Sequence, residues 1–282
     1  MERIHVPVRY AAWFLFLATA LRGSGAELKP KAVEGFDRYV AENESRLQRQ
    51  ESSTRAFLTM DSLPGTERDQ AESRLRAGDI LVRRRDDTPR LPGALVHHWI
   101  GTVFLPGATL QRTLALVQDY DHLPRYYSPE VIRSQLLSHN GNDFRIFMRL
   151  RKHKVVTVVL DTEYDVRYGS LDSTHAFSYS RSTRVSEIVG PGEKGEHAVP
   201  AGDDHGFMWR LNSYWRFVQR GEGVIVECEA ISLTRDAPTG LGWLIEPFVQ
   251  NIPRESLEFT LRATRNAVVA AGNAQLTAAE LR

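Results

Sequence analysis

The clearest alternation of apolar and polar residues along the chain begins at residue 207. Every second position of this stretch is apolar and mostly aromatic, with one interruption at Ser213: Phe207, Trp209, Leu211, Trp215 and Phe217. A period of two predicts a β-strand with one apolar face. A turn at residues 220–223 and a second alternating run over residues 224–235 complete a predicted β-hairpin.

The rest of the chain from residue 94 predicts a strand, a helix, several strands and a long helix. The predicted strands cover residues 95–105, 131–138, 144–151, 154–168 and 176–189. Apolar residues at helical spacing predict a helix after the first strand and a long C-terminal helix from Pro253 to Val269. This order predicts an α+β fold with helices on one side of an antiparallel sheet.

The first residues have the pattern of a secretory signal peptide. Arg3 and Arg9 precede an apolar run over residues 11–21, and small residues predict cleavage after Ala26. A membrane span needs roughly 20 apolar residues and this run is shorter, so an uncleaved membrane anchor is the weaker alternative. Residues 1–26 are therefore predicted to direct export, to the periplasm or the medium. The single cysteine, Cys228, allows no internal disulfide and is predicted to be a small buried apolar residue.

Residues 27–93 differ in character from the rest. They predict a surface helix from Pro30 to about Gln50, a second short helix ending near Gly78, and a solvated basic loop at residues 83–85. Pro92 and Gly93 mark a predicted boundary. We therefore divide the chain into a helical segment over residues 27–93, a main domain over residues 94–272 and a tail over residues 273–282.

Composition and motifs exclude several functions. The 36 basic residues nearly balance the 35 acidic ones, so no overall charge favours a nucleic-acid partner. The G-x-G-x-x-G sequence at residues 190–195 precedes no predicted helix, which leaves it a loop. His97 and His98 point to opposite faces of one strand, and the Asp203, Asp204 and His205 group lacks a known metal spacing. We predict no metal and no cofactor.

Glu227 and Glu229 share one face of the second hairpin strand. They could act as an acid and base pair, or form cross-strand ion pairs with Arg210 and Arg216 on a solvated face. We favour the ion pairs. If that face of the strand is buried, an acid and base role for the two glutamates gains support.

The order of elements and one segment together resemble a known superfamily. The segment is D-Y-D-H-L-P-R-Y-Y-S-P-E-V at residues 119–131, directly after the first helix of the main domain. Over residues 94–271 the chain resembles the START and Bet v 1-like helix-grip superfamily, which includes bacterial polyketide-cyclase and lipid-transport-like proteins. The resemblance implies a curved antiparallel sheet that grips a long C-terminal helix. It also implies an apolar cavity for a lipid, sterol or polyketide, and only a minority of members are enzymes.

With this resemblance, two sets of residues are predicted to bind the ligand. Cavity lining is expected from the aromatic strand, at Trp209, Leu211, Trp215 and Phe217. Large residues in predicted loops are expected to frame the cavity mouth or touch a membrane transiently: Tyr126, Tyr127, Trp243 and Phe248. The leading hypothesis is an exported binding or carrier protein for a hydrophobic, lipid-like molecule, which opens through the Gly- and Pro-rich residues 238–253.

Two alternatives stay open at this point. One is a cyclase or hydratase type of enzyme acting in the same cavity, with candidate groups on Arg149, Arg210, Glu227 and Glu229. The other is a non-catalytic interaction module with a filled core.

Overall fold

The computed structural model describes residues 27–154, 156–200, 202–236 and 242–280, with the backbone course alone for residues 242–250 and 273–280. The predicted signal peptide, residues 1–26, lies outside the described residues. None of the described helices is long and apolar enough to cross a membrane.

The chain forms five α-helices and nine strands within these residues. The helices are α1 (Pro30–Glu51), α2 (Gly65–Arg76), α3 (Leu110–Val117), α4 (Leu123–Tyr127) and α5 (Gly242–Glu280), and short 3-10 helices cover Thr59–Ser62 and Tyr120–His122. The strands are β1 (Ile80–Arg84), β2 (Ala94–Pro106), β3 (Val131–Asn140), β4 (Asp143–His153), β5 (Thr157–Ser170), β6 (His175–Val189), β7 (His197–Ala198), β8 (Arg210–Gln219) and β9 (Gly223–Arg235).

All nine strands belong to one antiparallel sheet. Eight of them run in the order β1-β2-β9-β8-β6-β5-β4-β3, and β7 pairs with β6. The long C-terminal helix α5 packs against the sheet at β2. The predicted α+β helix-grip architecture is therefore confirmed, because an antiparallel sheet holds the C-terminal helix and is preceded by N-terminal helices.

The β8–β9 hairpin defines the two faces of the sheet. Trp215 pairs with Cys228 and Phe217 with Val226 on the face that packs against α5, here called the inner face. The residues between them, including Arg216, belong to the opposite, outer face. Alternate residues of the hairpin therefore belong to two different cores, one on each face of the sheet.

The outer face is covered by α1. Phe36, Tyr39 and Leu47 of this helix pack against Ile231 and Leu233 of β9 in one buried cluster. Such burial explains the helical spacing of apolar residues in a segment that is otherwise strongly charged. The prediction of a helix from Pro30 to about Gln50 is confirmed.

Strands on both sides of the boundary predicted at residue 93 contribute to the same sheet. Residues 80–84 form β1, the edge strand that pairs with β2, so the basic run predicted as a loop begins within the sheet. Arg85, the last residue of that run, pairs with Asp87. Similarly, α5 continues to Glu280, past the predicted tail boundary at residue 272. An edge strand needs a partner on one side only, and this short mixed segment carries too weak an alternation to reveal it.

Gly101 determines how closely α5 approaches the sheet. A Cβ atom placed on Gly101 would lie 2.4 Å from Leu261 Cδ1 and 3.1 Å from Leu257 Cγ. Both leucines belong to the buried face of α5. The helix is therefore in direct contact with β2 at the one position of the strand that lacks a side chain.

Two predicted element bounds are corrected. The aromatic strand begins at Arg210, because the preceding residues bend where Gly206 has a φ of 72° and Asp204 Oδ1 accepts the Gly206 amide at 2.8 Å. The predicted hinge loop at residues 238–253 is helical from Gly242 onwards. The helix includes Pro253, although a proline there removes one backbone hydrogen bond.

Candidate functional site

A groove of about 550 Å³ lies between α4 and the C-terminal half of α5. One side is formed by Arg125, Tyr126 and Ser128, at and just after α4. The other side is a single face of α5, with residues at helical spacings of three and four: Phe259, Arg262, Ala263, Asn266, Ala267, Ala270 and Ala271. The groove exists because four alanines present short side chains where larger residues would fill the space.

The two helices are held together beside this groove by a hydrogen bond. The Tyr127 hydroxyl lies 3.0 Å from Thr264 Oγ1, and Thr264 Oγ1 donates to the Thr260 carbonyl at 2.8 Å. Burial raises the pKa of Tyr127 to about 12, so its hydroxyl keeps its proton at neutral pH. This contact fixes the separation of the two walls.

Behind the groove, the inner face of β3–β6 carries an aromatic cluster. Phe259 and Ala263 belong both to the groove wall and to this cluster, which also contains Tyr120 and Tyr164. The Tyr120 and Tyr168 hydroxyls lie 2.8 Å apart, and burial raises the pKa of both. The surface behind the groove is thus apolar, with neutral hydroxyl groups.

The structure separates the predicted ligand residues into several environments. Phe217 is fully buried against α5, and Trp215 stacks on it with ring centroids 6.0 Å apart. Leu211 packs on the aromatic cluster of the inner face. These three residues share the predicted face, but none of them lines the groove between α4 and α5.

Next to that contact, the inner face carries small residues. Ala230, Ser213 and Ser180 stand opposite one another on β9, β8 and β6. Ala230 and Ser213 are partly exposed. The inner face of the hairpin is thus a filled core at Phe217 and a partly exposed surface at Ser213.

Trp209 lies apart from the other aromatic residues of its stretch. It precedes β8, belongs to the cluster under α1, and its indole Nε1 donates to Asp204 Oδ1 at 2.8 Å. It also lines a second, smaller pocket of about 240 Å³. The predicted alternation fails here because the bend at Gly206 shifts the residues that precede the strand.

The predicted mouth residues also differ in placement. Tyr126 lines the groove and donates its hydroxyl to Asp119 Oδ2 at 2.9 Å, whereas Tyr127 is buried. Both lie on α4, although a loop was predicted. Trp243 and Phe248 belong to α5 rather than to a loop, and their side chains lie outside the described residues.

Arg125, Phe259, Arg262 and the alanines of α5 were not among the predicted site residues. The sequence does contain a signal for the alanines, namely small residues at positions 263 and 267 of the predicted C-terminal helix and at positions 270 and 271 just after its predicted end. This pattern indicates a surface that another element approaches or a ligand can enter. The pattern does not show which residues form the other side of the groove, because that depends on where α4 lies relative to α5.

On the outer face, the two hairpin glutamates are buried, contrary to the favoured prediction. Glu227 and Glu229 are 1% and 0% exposed, and Arg216 between them is 0% exposed. Arg216 Nη2 lies 2.8 Å from Glu227 Oε1 and 3.2 Å from Glu229 Oε2. The predicted pairing with Arg216 is therefore present, but on a face that α1 and the 3-10 helix at Thr59 remove from water.

The N-terminal segment completes this buried polar cluster. Arg46 pairs with Glu229, and Gln50 Oε1 accepts from Arg216 Nη1 at 2.7 Å. The Thr59 amide and hydroxyl donate to Glu227 Oε1 at 3.0 and 2.9 Å. Buried carboxylates need such partners, because an unpaired charge in the interior is very costly.

His98 links the cluster to Tyr39 of α1. His98 Nε2 lies 2.6 Å from Glu229 Oε1, and Nδ1 lies 2.7 Å from the Tyr39 hydroxyl. Burial opposes the charged carboxylate, but the His98 hydrogen bond and the Arg46 and Arg216 charges lower the pKa of Glu229 to about 2. Glu229 is therefore ionised at neutral pH and acts as the acceptor that anchors α1.

The groups considered for acid and base catalysis do not converge on the groove. Arg216, Glu227 and Glu229 lie on the outer face under α1, on the opposite side of the sheet from α5. Arg149 pairs with Asp161 and Glu196. The other named candidate, Arg210, shares the outer face and donates to the Trp209 carbonyl at 2.9 Å. These residues thus have pairing partners of their own and do not form a catalytic constellation around one space.

The predicted metal candidates have other partners. His97 is on the inner face, 2.9 Å from Thr234 Oγ1, and burial lowers its pKa to about 4. His205 pairs with Glu187 at 2.7 Å. Over the part of the chain that is described, no group of three or more histidine, cysteine or acidic residues is arranged to hold a metal ion.

Comparison with known proteins finds similar folds. No protein-family model matches the chain. No curated protein matches it. Among solved structures, one similar protein is TTHA0849 from Thermus thermophilus, with a TM-score of 0.45 and 18% identity, over 61% of this chain and 97% of that one.

Two further similar structures have descriptive names. The STAR-related lipid transfer protein from Xanthomonas axonopodis has a TM-score of 0.43 and 18% identity, over 66% of this chain and 98% of that one. The Zhui aromatase/cyclase from Streptomyces sp. R1128 has a TM-score of 0.44 and 14% identity, over 64% of this chain and 96% of that one. At such identities and TM-scores the activities of these proteins do not transfer to this chain.

Proposed function

We propose that this chain is an exported protein that binds or carries a hydrophobic, lipid-like small molecule. The observation that supports this proposal is the groove between α4 and α5, whose volume of about 550 Å³ is within the usual range for small-molecule sites. The ligand lies along α5 rather than beneath it, because Gly101 and Leu261 bring sheet and helix into contact.

The chemistry of the groove favours an apolar ligand. Phe259, Tyr126 and the alanines of α5 provide the apolar surface, and the groups behind them are aromatic rings with neutral hydroxyls. Transfer of an apolar molecule from water onto such a surface is favourable in proportion to the area buried, at roughly 25 cal/mol per Å². Among the described lining residues, Tyr126 has a shifted pKa, and that pKa is raised, so its hydroxyl is unsuited to act as a base; we therefore propose binding rather than catalysis.

Filling the groove should abolish binding. Ala270 lines it and is exposed, so the Ala270→Trp variant should fold and occupy the space with an indole ring. The exposed Ala41 of α1, changed to Trp, is a matched control outside the groove. Titration with Nile red, a neutral apolar dye that fluoresces when removed from water, should show saturable binding to wild type and to Ala41→Trp but not to Ala270→Trp. Equal binding by all three proteins would contradict the proposal.

Export is the second part of the proposal, supported by the charge and apolar pattern of residues 1–26. N-terminal sequencing of the protein recovered from the medium or the periplasm should begin at Glu27. A protein retained inside cells with its first residues intact would contradict export.

A transient contact with a membrane would let such a carrier collect its ligand. Trp243 and Phe248 lie on α5 near its start and are the residues proposed to make this contact. Replacing both with Ser should reduce co-sedimentation with phosphatidylcholine vesicles and leave Nile red binding unchanged. Unchanged co-sedimentation would remove these two residues from the account.

A further inference from the structure

The charged side chains among the described residues that line the groove are both positive. Its lining contains two guanidinium groups, Arg125 and Arg262, and two neutral polar side chains, Ser128 and Asn266. Among the described residues, no carboxylate lines it. An apolar surface bordered by two cations and by neutral hydrogen-bond donors is complementary to a molecule with an apolar body and an anionic group.

The partners of the two arginines leave them able to bind an anion. Arg262 pairs with Glu258 one turn earlier on α5, and these side chains are 56% and 33% exposed. An exposed pair at this spacing is weak, so the guanidinium can add or exchange a partner at little cost.

The charge of Arg125 acts on Asp119, and this carboxylate accepts hydrogen bonds from other side chains. His122 Nδ1 lies 2.7 Å from Asp119 Oδ1, and Tyr126 donates to Asp119 Oδ2 at 2.9 Å. Burial acts in the other direction, but these hydrogen bonds and the charges of His122 and Arg125 lower the pKa of Asp119, which is therefore ionised and has a hydrogen-bond partner on each oxygen. Within the described residues Arg125 has no ion-pair contact, and it is exposed at the groove.

The length of the groove indicates the shape of the ligand. Its lining along α5 extends from Phe259 to Ala271, which at the helical rise corresponds to about 18 Å. A trough of that length with alanines along its floor suits an extended chain better than a compact ring system.

We propose, building on the function above, that the groove takes an elongated amphiphile whose anionic head binds Arg125 and Arg262. The head is a carboxylate or a phosphate, since a guanidinium group recognises both through paired N–H donors. The apolar chain lies along Ala263, Ala267 and Ala270. The head could come from a free amphiphile or from a lipid in a bilayer, and these sources share the same chemistry.

The test uses the full chain and a set of twelve-carbon probes below their micelle concentrations. Dodecanoate and dodecyl phosphate carry the anion, dodecan-1-ol is neutral, and dodecyltrimethylammonium is cationic. Displacement of Nile red should show that the two anions bind about tenfold more tightly than the alcohol, as expected for a charge-assisted hydrogen bond at a partly exposed site. The cation should bind most weakly, and added NaCl should reduce the preference for the anions.

The double variant Arg125→Gln and Arg262→Gln should lose this preference and keep its affinity for dodecan-1-ol. Arg254→Gln, an exposed arginine of α5 outside the groove, is the matched control and should bind like wild type. If the alcohol binds wild type as tightly as the anions do, or if the double variant keeps the preference, the anionic head is wrong while the groove remains a binding site. If no probe displaces Nile red, the proposed function itself fails.

A vesicle experiment distinguishes the source of the head group. If wild type prefers the free anions and the double variant does not, retention of wild type by phosphatidylglycerol vesicles, more strongly than of the double variant, would assign the head to a membrane lipid. Binding of free dodecanoate without vesicle retention would assign it to a free amphiphile. Both outcomes support recognition by the two arginines, and the absence of any difference between wild type and the double variant in both assays would overturn it.

Discussion

Replacing Arg216 with Met should strongly destabilise the protein, because it removes the cation at the centre of the buried polar cluster. The Arg216 side chain is 0% exposed and contacts Glu227, Glu229 and Gln50. In the variant, Glu227 keeps its bonds from Thr59 but loses its ion-pair partner. Breaking a buried pair while one charge remains costs about 3–5 kcal/mol.

Met preserves much of the apolar volume of the arginine stem, so the loss reports chiefly on charge. Natural domains have total stabilities of about 5–15 kcal/mol, so the variant should remain folded but with a much smaller margin. With an m-value of roughly 3 kcal/mol/M in urea, a loss of about 4 kcal/mol lowers the unfolding midpoint by about 1.3 M.

The assay is urea unfolding followed by circular dichroism and by tryptophan fluorescence, whose agreement checks two-state behaviour. Arg145→Met is a matched control on β4, where the Arg145 side chain is 54% exposed and pairs with Glu163 at 2.9 Å. Removing that exposed pair should cost less than about 1 kcal/mol. Equal midpoints for the two variants would refute the conclusion that the outer-face cluster is a buried, stabilising anchor for α1.

The pH dependence provides a second check on Arg216→Met. The pKa of Glu229 is lowered by folding, so its contribution to stability is present above the unfolded pKa of about 4.3 and is lost as pH falls towards 2. Loss of the Arg216 charge raises the folded pKa. The stability deficit of the variant should therefore shrink between pH 7 and pH 3, and a constant deficit would contradict the electrostatic origin.

Three other predictions test separate parts of the structure. Gly101→Val should lower the free energy of unfolding by about 1–3 kcal/mol, measured by urea unfolding, because the new Cβ would meet Leu261; an unchanged midpoint would mean that α5 is not held against β2. Burial raises the pKa of Glu51 to about 7 despite the hydrogen bond from Tyr179. Between about pH 4.3 and pH 7 the carboxyl group ionises in the unfolded chain but keeps its proton in the folded one, so the free energy of unfolding of wild type should fall over this range. Glu51→Gln has no charge to bury and should have the higher melting temperature at pH 8. An unchanged melting temperature of Glu51→Gln at pH 8 would contradict the burial of the Glu51 carboxylate. Burial also raises the pKa of the Cys228 thiol, so Ellman's reagent should modify it only after unfolding, and rapid reaction of the native protein would be the contrary result.

The secondary structure of the main domain could be predicted from sequence because its strands are amphipathic and well separated. The hairpin of β8 and β9 was predicted to within three residues at its start, and the helix at Pro30 was recovered from apolar spacing alone. In these segments the local pattern and the tertiary contacts demand the same conformation.

The chemistry of the two sheet faces could not be predicted in the same way. Alternation shows that Glu227 and Glu229 share a face, but not that α1 and Thr59 will cover it. A charged face covered by another element looks the same in the sequence as a solvated face, because burial depends on contacts between residues 183 positions apart, such as Arg46 and Glu229.

Apart from Tyr126, the residues that line the groove were not predicted, for a related reason. The prediction concentrated on large aromatic residues, whereas the groove exists where side chains are small, at Ala267 and Ala270. The wall opposite depends on α4, a five-residue helix within a segment that was predicted as a loop because Pro124 interrupts it. Pro124 instead occupies the first turn of α4, where its missing N–H has no helical partner to lose.

Native mass spectrometry of gently purified wild-type chain and of Ala270→Trp, prepared side by side, tests the central claim most directly. We predict that wild type carries an additional mass that organic extraction removes and identifies as an apolar or amphiphilic molecule, and that Ala270→Trp has the bare chain mass. The same adduct on both proteins would contradict binding in the groove between α4 and α5, and bare masses on both, with no Nile red binding, would contradict a carrier function.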